Sequence, residues 1–279
     1  MPVLANNNNW EENGIKDFMT SDGFQFAWTD HQSWLVENLN RLTEGTIYES
    51  QDAKDIAIET ARNPNLAQIF NYASMAANNH FFFTTIADEP APMGNFVDII
   101  EESCSSVNSL KEEFLGIAEV MFGPGFVWLC KDSDTGRLKI LNTYNAGTPY
   151  PAAHFRRQGI DVNTERPEDL PTSASLNPLN KVPNGDGNPH IIAPWRANQR
   201  YSSTPKQSGF LAPGGADVKP ILCVNTWQTV WLPDYGLRNK RLYLEKWWDR
   251  IDWATVAKNY GSMNVRKTDT RSFENVGFR

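Results

Sequence analysis

The spacing of the apolar residues changes at about residue 94, and this change restricts the chain to few architectures. Before it, apolar residues recur at the three- and four-residue intervals of amphipathic helices. After it, short apolar runs bounded by turn residues are typical of β-strands. Pro90, Pro92 and Gly94 separate the two regions. The order predicts an α+β protein, with a long helical hairpin followed by a small three-stranded antiparallel sheet packed with helices.

The first region contains two long helical segments. One covers 24–42 and the other 52–86, where Pro64 is expected to interrupt the helix because proline removes a backbone hydrogen bond. The apolar face of the first segment is predicted to consist of Phe26, Trp34, Leu35, Leu39 and Leu42. Residues 1–23 are polar and are expected to be irregular. We therefore expect residues 1–93 to form an N-terminal extension and a helical hairpin.

The second region, residues 94–279, is predicted to be an α/β domain. Its strands are expected at 126–130, 138–141 and 220–224, with a turn at 132–136 joining the first two. Its helices are expected at 95–104, from 109 onward and over 237–260. Ser109 and Glu112 form a capping-box pattern at the start of the second of these helices. A Pro-, Asn- and Gly-rich insertion at about 150–219 lacks periodicity. It is either disordered or an ordered arm that packs on a partner, because structureless loops of this length are uncommon inside compact domains.

The composition excludes several classes of protein. With a net charge of −7, the chain offers no positive field for general nucleic-acid binding, although a local basic patch is compatible with it. The three cysteines are far apart and form no CxxC pair, which indicates reduced thiols in a reducing compartment. No run of about 18 apolar residues is present, so neither a transmembrane helix nor a membrane partner is expected. Residues 1–10 match neither a secretory signal nor an Arg-rich transit peptide.

Several motifs follow one another in an order that is typical of one enzyme family. They are HQSWLVENLN at 31–40, NHFFF at 79–83, FGPGFVWL at 122–129, NAGTP at 145–149 and NTWQTVW at 225–231. A further match covers 234–260, which includes IDW and AKNY. These segments resemble the iron/manganese superoxide dismutases, and the resemblance covers most of 24–149 and 220–260. It implies the dismutase fold, interrupted by the long insertion.

The same resemblance implies where the family holds its redox metal, with three histidines and one aspartate. Those positions are occupied here by Ala27, His80, Asn225 and Thr229. Only His80 keeps a strong ligand, because imidazole and carboxylate suit iron or manganese in this geometry. The positions that support the family's metal site are changed to Leu35, Ala76, Phe126 and Gln228, the last replacing a glutamate that reaches across the dimer interface. We therefore expect no metal, no other cofactor and no catalysis, which describes a pseudoenzyme.

Two alternatives remain open. An active or residual iron/manganese superoxide dismutase would need a rescued site, built from His80, His31 and an acidic residue. A free-standing interaction protein would keep the fold only for its surfaces. Bound iron or manganese in the purified protein would favour the enzyme.

Further segments narrow the resemblance to one branch of the family. They are ENGI at 12–15, DGF at 22–24, AWT at 27–29 and LTEGT at 42–46, together with the long insertion before Asn225. These features resemble the superoxide dismutase-like proteins of the small subunit of fungal mitochondrial ribosomes. The resemblance implies a structural role there, in the mitochondrial matrix, beside other mitochondrial ribosomal proteins. It also implies pairing with a second superoxide dismutase-like subunit, as a heterodimer in preference to a homodimer.

Two basic stretches are candidates for contact with ribosomal RNA or with a protein partner. The candidate side chains are Arg196, Arg200, Lys206, Arg266, Lys267 and Arg271. Trp195 and Tyr201 lie among the first three, and cations beside aromatic rings suit phosphates and bases. The last three belong to a basic segment over 258–279. An ordinary solvated loop and a frayed end are the alternative interpretations.

Overall fold

The computed structural model describes residues 2–61, 63–150 and 217–261, and within them the predicted α+β class is confirmed. The helices are α1 (Asn7–Asn13), α2 (Ser21–Phe24), α3 (His31–Thr43), α4 (Ala53–Thr60), α5 (Ala67–Thr84), α6 (Phe96–Cys104), α7 (Val107–Val120), α8 (Gln228–Tyr235), α9 (Lys240–Trp248) and α10 (Trp253–Gly261). A π-helical turn (Gln25–Asp30) precedes α3, and a 3-10 turn (Pro64–Leu66) precedes α5. The strands are β1 (Gly125–Asp132), β2 (Leu138–Tyr144) and β3 (Val218–Asn225), in the order β2-β1-β3 with both pairs antiparallel.

Helices α3 and α5 form the two arms of the predicted hairpin, and α4 packs against α5. The second helical segment is interrupted at Pro64, as predicted, and continues as α5. Leu39 of α3, Ile56 of α4 and Phe70 of α5 share a small apolar cluster. This cluster joins the three helices.

Two residues of the predicted apolar face are exposed instead of buried: Phe26 is 49% exposed and Trp34 is 52% exposed. The buried stripe of α3 consists of Gln32, Leu35, Leu39 and Thr43. Trp34 precedes Leu35 by one residue, so it points about 100° away from that stripe. Phe26 lies in the π-helical turn, whose wider turn puts it out of phase with α3.

The segment before the hairpin is ordered, so the expectation of an irregular 1–23 is wrong. Its few apolar residues, among them Trp10 and Phe18, lie in the main core. The carboxylate of Asp88, just after α5, accepts hydrogen bonds from Trp10 Nε1 at 2.8 Å and from the Lys16 amide at 3.2 Å. The inward side chains follow no regular spacing, and a periodicity argument therefore misses them.

The central strand β1 is buried along its whole length. Its first residue is Gly125, and the sheet leaves no room for a side chain at this position. A Cβ would lie 2.2 Å from the Thr143 carbonyl oxygen. At the other end, the Asp132 carboxylate accepts hydrogen bonds from the amides of Asp134 and Thr135 and closes the turn to β2. The predicted strands and turn are confirmed, and each strand is longer than predicted.

The helix predicted to start at Ser109 begins two residues earlier, at Val107. Its N-cap is Ser106, whose hydroxyl accepts a hydrogen bond from the Ser109 amide at 3.0 Å. Ser106 and Ser109 both fit the residue preference of an N-cap. Ser106 is the cap because its backbone is extended, whereas Ser109 already lies within the helix. Glu112 pairs with Arg241 at 3.1 Å instead of capping the helix, so the predicted capping box is wrong.

The C-terminal region differs from the single helix predicted over 237–260. Helices α9 and α10 are separate, and Ile251 between them pairs with Ile86 after α5. This pairing ties the C-terminal helices to the end of the hairpin. Helix α8 is an addition to the predicted elements, and Pro233 in its last turn weakens its sequence pattern.

Two further expectations concern membranes and thiols. Within the described part of the chain, no helix combines the length and the apolar character that a membrane span requires. Cys130 and Cys223 are buried free thiols in the sheet, and Cys104 is half-buried. Because burial raises the pKa of both sheet thiols, neither is a reactive thiolate.

Candidate functional site

The positions that the resemblance assigns to metal ligands lie on four elements, and hydrogen bonds through Asn79 connect two of these positions where the hairpin meets the sheet. Ala27 lies in the π-helical turn, His80 in α5, Asn225 at the end of β3 and Thr229 in α8. Asn79, the neighbour of His80, donates from Nδ2 to the Ala27 carbonyl oxygen at 3.2 Å. Its Oδ1 accepts a hydrogen bond from Asn225 Nδ2 at 3.1 Å. These contacts join Ala27 and Asn225 to Asn79, which precedes His80 in α5, and Thr229 follows in the first turn of α8.

Three side-chain amides occupy this place, and we call Gln32, Asn79 and Asn225 the amide chain. All three are 0% exposed. Gln32 Oε1 accepts a hydrogen bond from Asn79 Nδ2 at 3.1 Å, and Gln32 Nε2 donates to the Ala76 carbonyl oxygen at 3.0 Å. Asn225 Oδ1 accepts one from the Trp227 amide at 2.9 Å. Each of these three side-chain amide oxygens therefore already accepts a hydrogen bond.

Three of the four positions that support the family's metal site are part of the core packing here. Leu35, Ala76 and Phe126 are buried in the main core, whereas Gln228 is exposed. Thr229 Oγ1 is buried, and it has no hydrogen-bond partner among the described residues. Apolar side chains cannot orient a metal ligand, so these positions serve the core.

Two histidines of the hairpin are half-buried beside aromatic rings. The ring centre of His80 lies 5.8 Å from that of Trp28, and His31 stacks on Trp34 at 6.2 Å. Burial lowers the pKa of both imidazoles. Burial therefore favours the neutral form of both imidazoles.

Stability is expected to fall on acidification because of these two histidines. Their folded-state pKa lies below the ordinary value of 6.5, so the unfolded chain takes up protons first. Their contribution to stability is complete above pH 6.5 and is lost as the pH falls towards the folded-state values. We expect the melting temperature to decrease from neutral pH to about pH 5.5, and His31→Gln or His80→Gln to flatten this profile.

Asp132→Asn is the matched control for this profile. Burial opposes ionisation of the Asp132 carboxyl, but hydrogen bonds from Lys139 and from the amides of Thr135 and Asp134 lower its pKa to about 2. It does not titrate in the range measured, so Asp132→Asn should shift the melting temperature equally at every pH. A profile that neither histidine replacement changes would contradict this account.

The side chains at the presumed ligand positions do not fit an iron or manganese ion. Ala27 offers no donor atom, and the Asn225 oxygen is engaged by the Trp227 amide. Of the four positions, only His80 presents a strong ligand. Across residues 2–61, 63–150 and 217–261, no three His, Cys, Asp or Glu side chains are grouped so that they could hold a metal ion. The three amides of the amide chain, all fully buried, fill this place instead.

An apolar groove opens beside Thr229. It is lined by Phe26, Gln228, Thr229, Leu232 and Pro233. Phe122 is 97% exposed and lies on the loop that leads to Gly125, whose carbonyl oxygen accepts a hydrogen bond from Thr226 Oγ1 at 3.0 Å. Thr226 lies two residues before Gln228 of the groove, and we call the groove residues and Phe122 together the apolar face. An exposed apolar groove is typical of an interaction surface.

The six side chains predicted to contact RNA or a partner are not among the residues that the structure describes. Arg196, Arg200, Lys206, Arg266, Lys267 and Arg271 lie outside the described residues. So does most of the predicted insertion, at 151–216. Their role stays a prediction.

The chain belongs to the iron/manganese superoxide dismutase family, whose C-terminal domain matches residues 92–162 and 190–259. It is 26% identical to small ribosomal subunit protein mS42 of Schizosaccharomyces pombe, over 90% of this chain and 93% of that protein. It is 25% identical to small ribosomal subunit protein mS43 of the same organism, over 89% of this chain and 81% of that protein. It is 33% identical to a superoxide dismutase (Fe) of Nostoc sp., over 55% of this chain and 77% of that protein.

Proposed function

We propose that this chain is a structural component of the mitochondrial small ribosomal subunit. The observation that carries the proposal is its similarity to two small ribosomal subunit proteins, over 90% and 89% of its length. A fold can be retained for its surfaces after its chemistry is lost. In this role the chain is a scaffold that binds proteins, with ribosomal RNA as a further partner through the two basic stretches.

The chain is, on this proposal, not an enzyme. The amide chain supports this, because a neutral, fully hydrogen-bonded Asn225 stands where the family has a carboxylate. Ala27 and Thr229 stand where the family has two of its histidines. One imidazole, His80, is a poor site for iron or manganese, which prefer several imidazole and carboxylate ligands.

The apolar face is the proposed site of pairing with a second superoxide dismutase-like subunit, in a heterodimer. Phe122 and Phe26 are 97% and 49% exposed in the single chain and would be covered in such a pair. Gln228, on the same face, takes the position of the glutamate that reaches across the family's dimer interface. Other mitochondrial ribosomal proteins, in the matrix, would contact the rest of the surface.

Affinity purification of the tagged full-length chain from mitochondria of its source organism tests this proposal. We expect small-subunit ribosomal proteins and a second superoxide dismutase-like chain to co-purify. Iron and manganese, measured on the chain after release from its partners, should be far below one ion per chain. One ion per chain would favour an active dismutase instead. A chain that purifies without ribosomal proteins would favour a free-standing interaction protein.

A further inference from the structure

We propose that the amide chain has replaced a metal ion as the cross-link between the hairpin and the sheet. Ligands from the π-helical turn, α5, β3 and α8 would be joined by a metal at these positions, and such bonds stabilise a fold directly. Gln32, Asn79 and Asn225 instead make a continuous path of hydrogen bonds between the hairpin and β3. The inference goes beyond the proposed function, because it concerns how this fold is held together without a metal.

The amide chain joins segments that are far apart in the sequence. The bond between Asn79 and Gln32 connects residues 47 positions apart, and the bond between Asn225 and Asn79 connects residues 146 positions apart. The bond from Asn79 to the Ala27 carbonyl oxygen, at 3.2 Å, adds the π-helical turn. The Tyr243 hydroxyl donates to the Asn225 carbonyl oxygen at 2.7 Å and adds α9. Five elements are therefore tied together at one buried point: the π-helical turn, α3, α5, β3 and α9.

The directions of these hydrogen bonds oppose the binding of a cation. Asn79 Nδ2 donates to two oxygens, those of Ala27 and Gln32, and Asn79 Oδ1 accepts from Asn225. If an amide oxygen turned toward a metal, it would lose its donor and leave a buried N–H group unpaired. All three amides are 0% exposed, so water would not replace the lost bond. The same geometry that joins the elements therefore opposes metal binding.

Asn79→Ala tests the cross-link directly. The replacement leaves Gln32 Oε1, the Ala27 carbonyl oxygen and Asn225 Nδ2 without the partners they have now. Each buried group without a partner lowers stability, so we expect the melting temperature of the isolated chain to fall by about 10 °C. A differential scanning measurement on the purified full-length chain gives the value.

Asn78→Ala is the matched control in the same helix. Asn78 is 2% exposed and makes one hydrogen bond, from Nδ2 to the Gly147 carbonyl oxygen at 2.9 Å. It loses the same atoms from a similarly buried place, but it lies outside the amide chain. Its melting temperature should fall less than half as far as that of Asn79→Ala. Equal falls, or an unchanged Asn79→Ala, would overturn the proposal.

Asn225→Asp is a second test, and it conserves the side-chain volume. A carboxylate cannot donate to Asn79 Oδ1, so two oxygens would face each other and the melting temperature at neutral pH should fall.

Adding manganese(II) chloride to the Asn225→Asp variant tests whether a metal ion can stabilise the fold at this place. It should not raise the melting temperature of Asn225→Asp, even though a carboxylate then stands at the presumed ligand position. A manganese-dependent rise, or a variant as stable as the wild type at neutral pH, would overturn the proposal. These measurements use the isolated chain and do not depend on ribosomal association. A negative result here would overturn the cross-link proposal alone, and absence of the chain from the ribosome would overturn the proposed function alone.

Discussion

A chain carrying Phe122→Asp is expected to fold as the wild type does and to bind the second superoxide dismutase-like subunit at least about 100-fold more weakly. Phe122 is 97% exposed, so its replacement removes no core contact of the chain itself. In a pair formed through the apolar face, a carboxylate at this position would lose its hydration without gaining a partner. The yield of the second subunit in affinity purification measures the effect, and a thermal melt checks the fold.

Ile47→Asp is the matched control for this experiment. Ile47 is also an exposed apolar residue, at 51%, and it lies beyond the C-terminal end of α3, whereas Phe26 of the apolar face precedes the N-terminal end. The same change of charge should leave the pairing intact there. Wild-type yield from Phe122→Asp would show that the apolar face is not the pairing surface. Equal losses from both variants would assign the effect to charge alone.

The largest loss of stability is expected from Trp10→Ala, about 3–5 kcal/mol. Trp10 is 2% exposed, and its ring packs edge-on against Phe24 at 5.6 Å. The replacement opens a cavity and removes the indole donor from the Asp88 carboxylate. Because a domain is stable by only about 5–15 kcal/mol, this loss is a large share of the total. The melting temperature should fall by about 10 °C or more.

Trp34→Ala makes the same chemical change at a surface position. Trp34 is 52% exposed, so its replacement should lower the free energy of unfolding by less than about 1 kcal/mol. Similar melting temperatures for Trp10→Ala and the wild type would show that the segment before the hairpin is not part of the folded core. Such a result would contradict the contact of that segment with Asp88.

The hairpin and the sheet were predictable because their signals are local. The break at Pro64 and the turn at Asp132 follow from the chemistry of single residues, and the structure confirms both. The exposure of Trp34 was not predictable from near-helical spacing, because one residue of offset separates it from the buried stripe. The packing of Trp10 depends on Asp88, which is 78 positions away. Local periodicity carries no information about such a contact.

The candidate site was predictable only as a set of positions. Ala27, His80 and Asn225 were singled out by a resemblance, and in the structure hydrogen bonds join Ala27 and Asn225 to Asn79, the residue before His80. The amide chain was not predictable, because hydrogen bonds between side chains on three separate elements depend on the tertiary fold. Gln32 and Asn79 appear in the sequence only as members of the motifs at 31–40 and 79–83. Their burial and bond directions show why the place is core.

Sedimentation of a mitochondrial extract through a sucrose gradient tests the central claim most directly. The tagged chain is followed by immunoblot beside known proteins of the small and large ribosomal subunits. We expect the chain to peak with the small-subunit markers, and to move with them when subunits join into monosomes. A chain that stays at the top of the gradient, while the small-subunit markers sediment normally, would contradict a structural role in the ribosome.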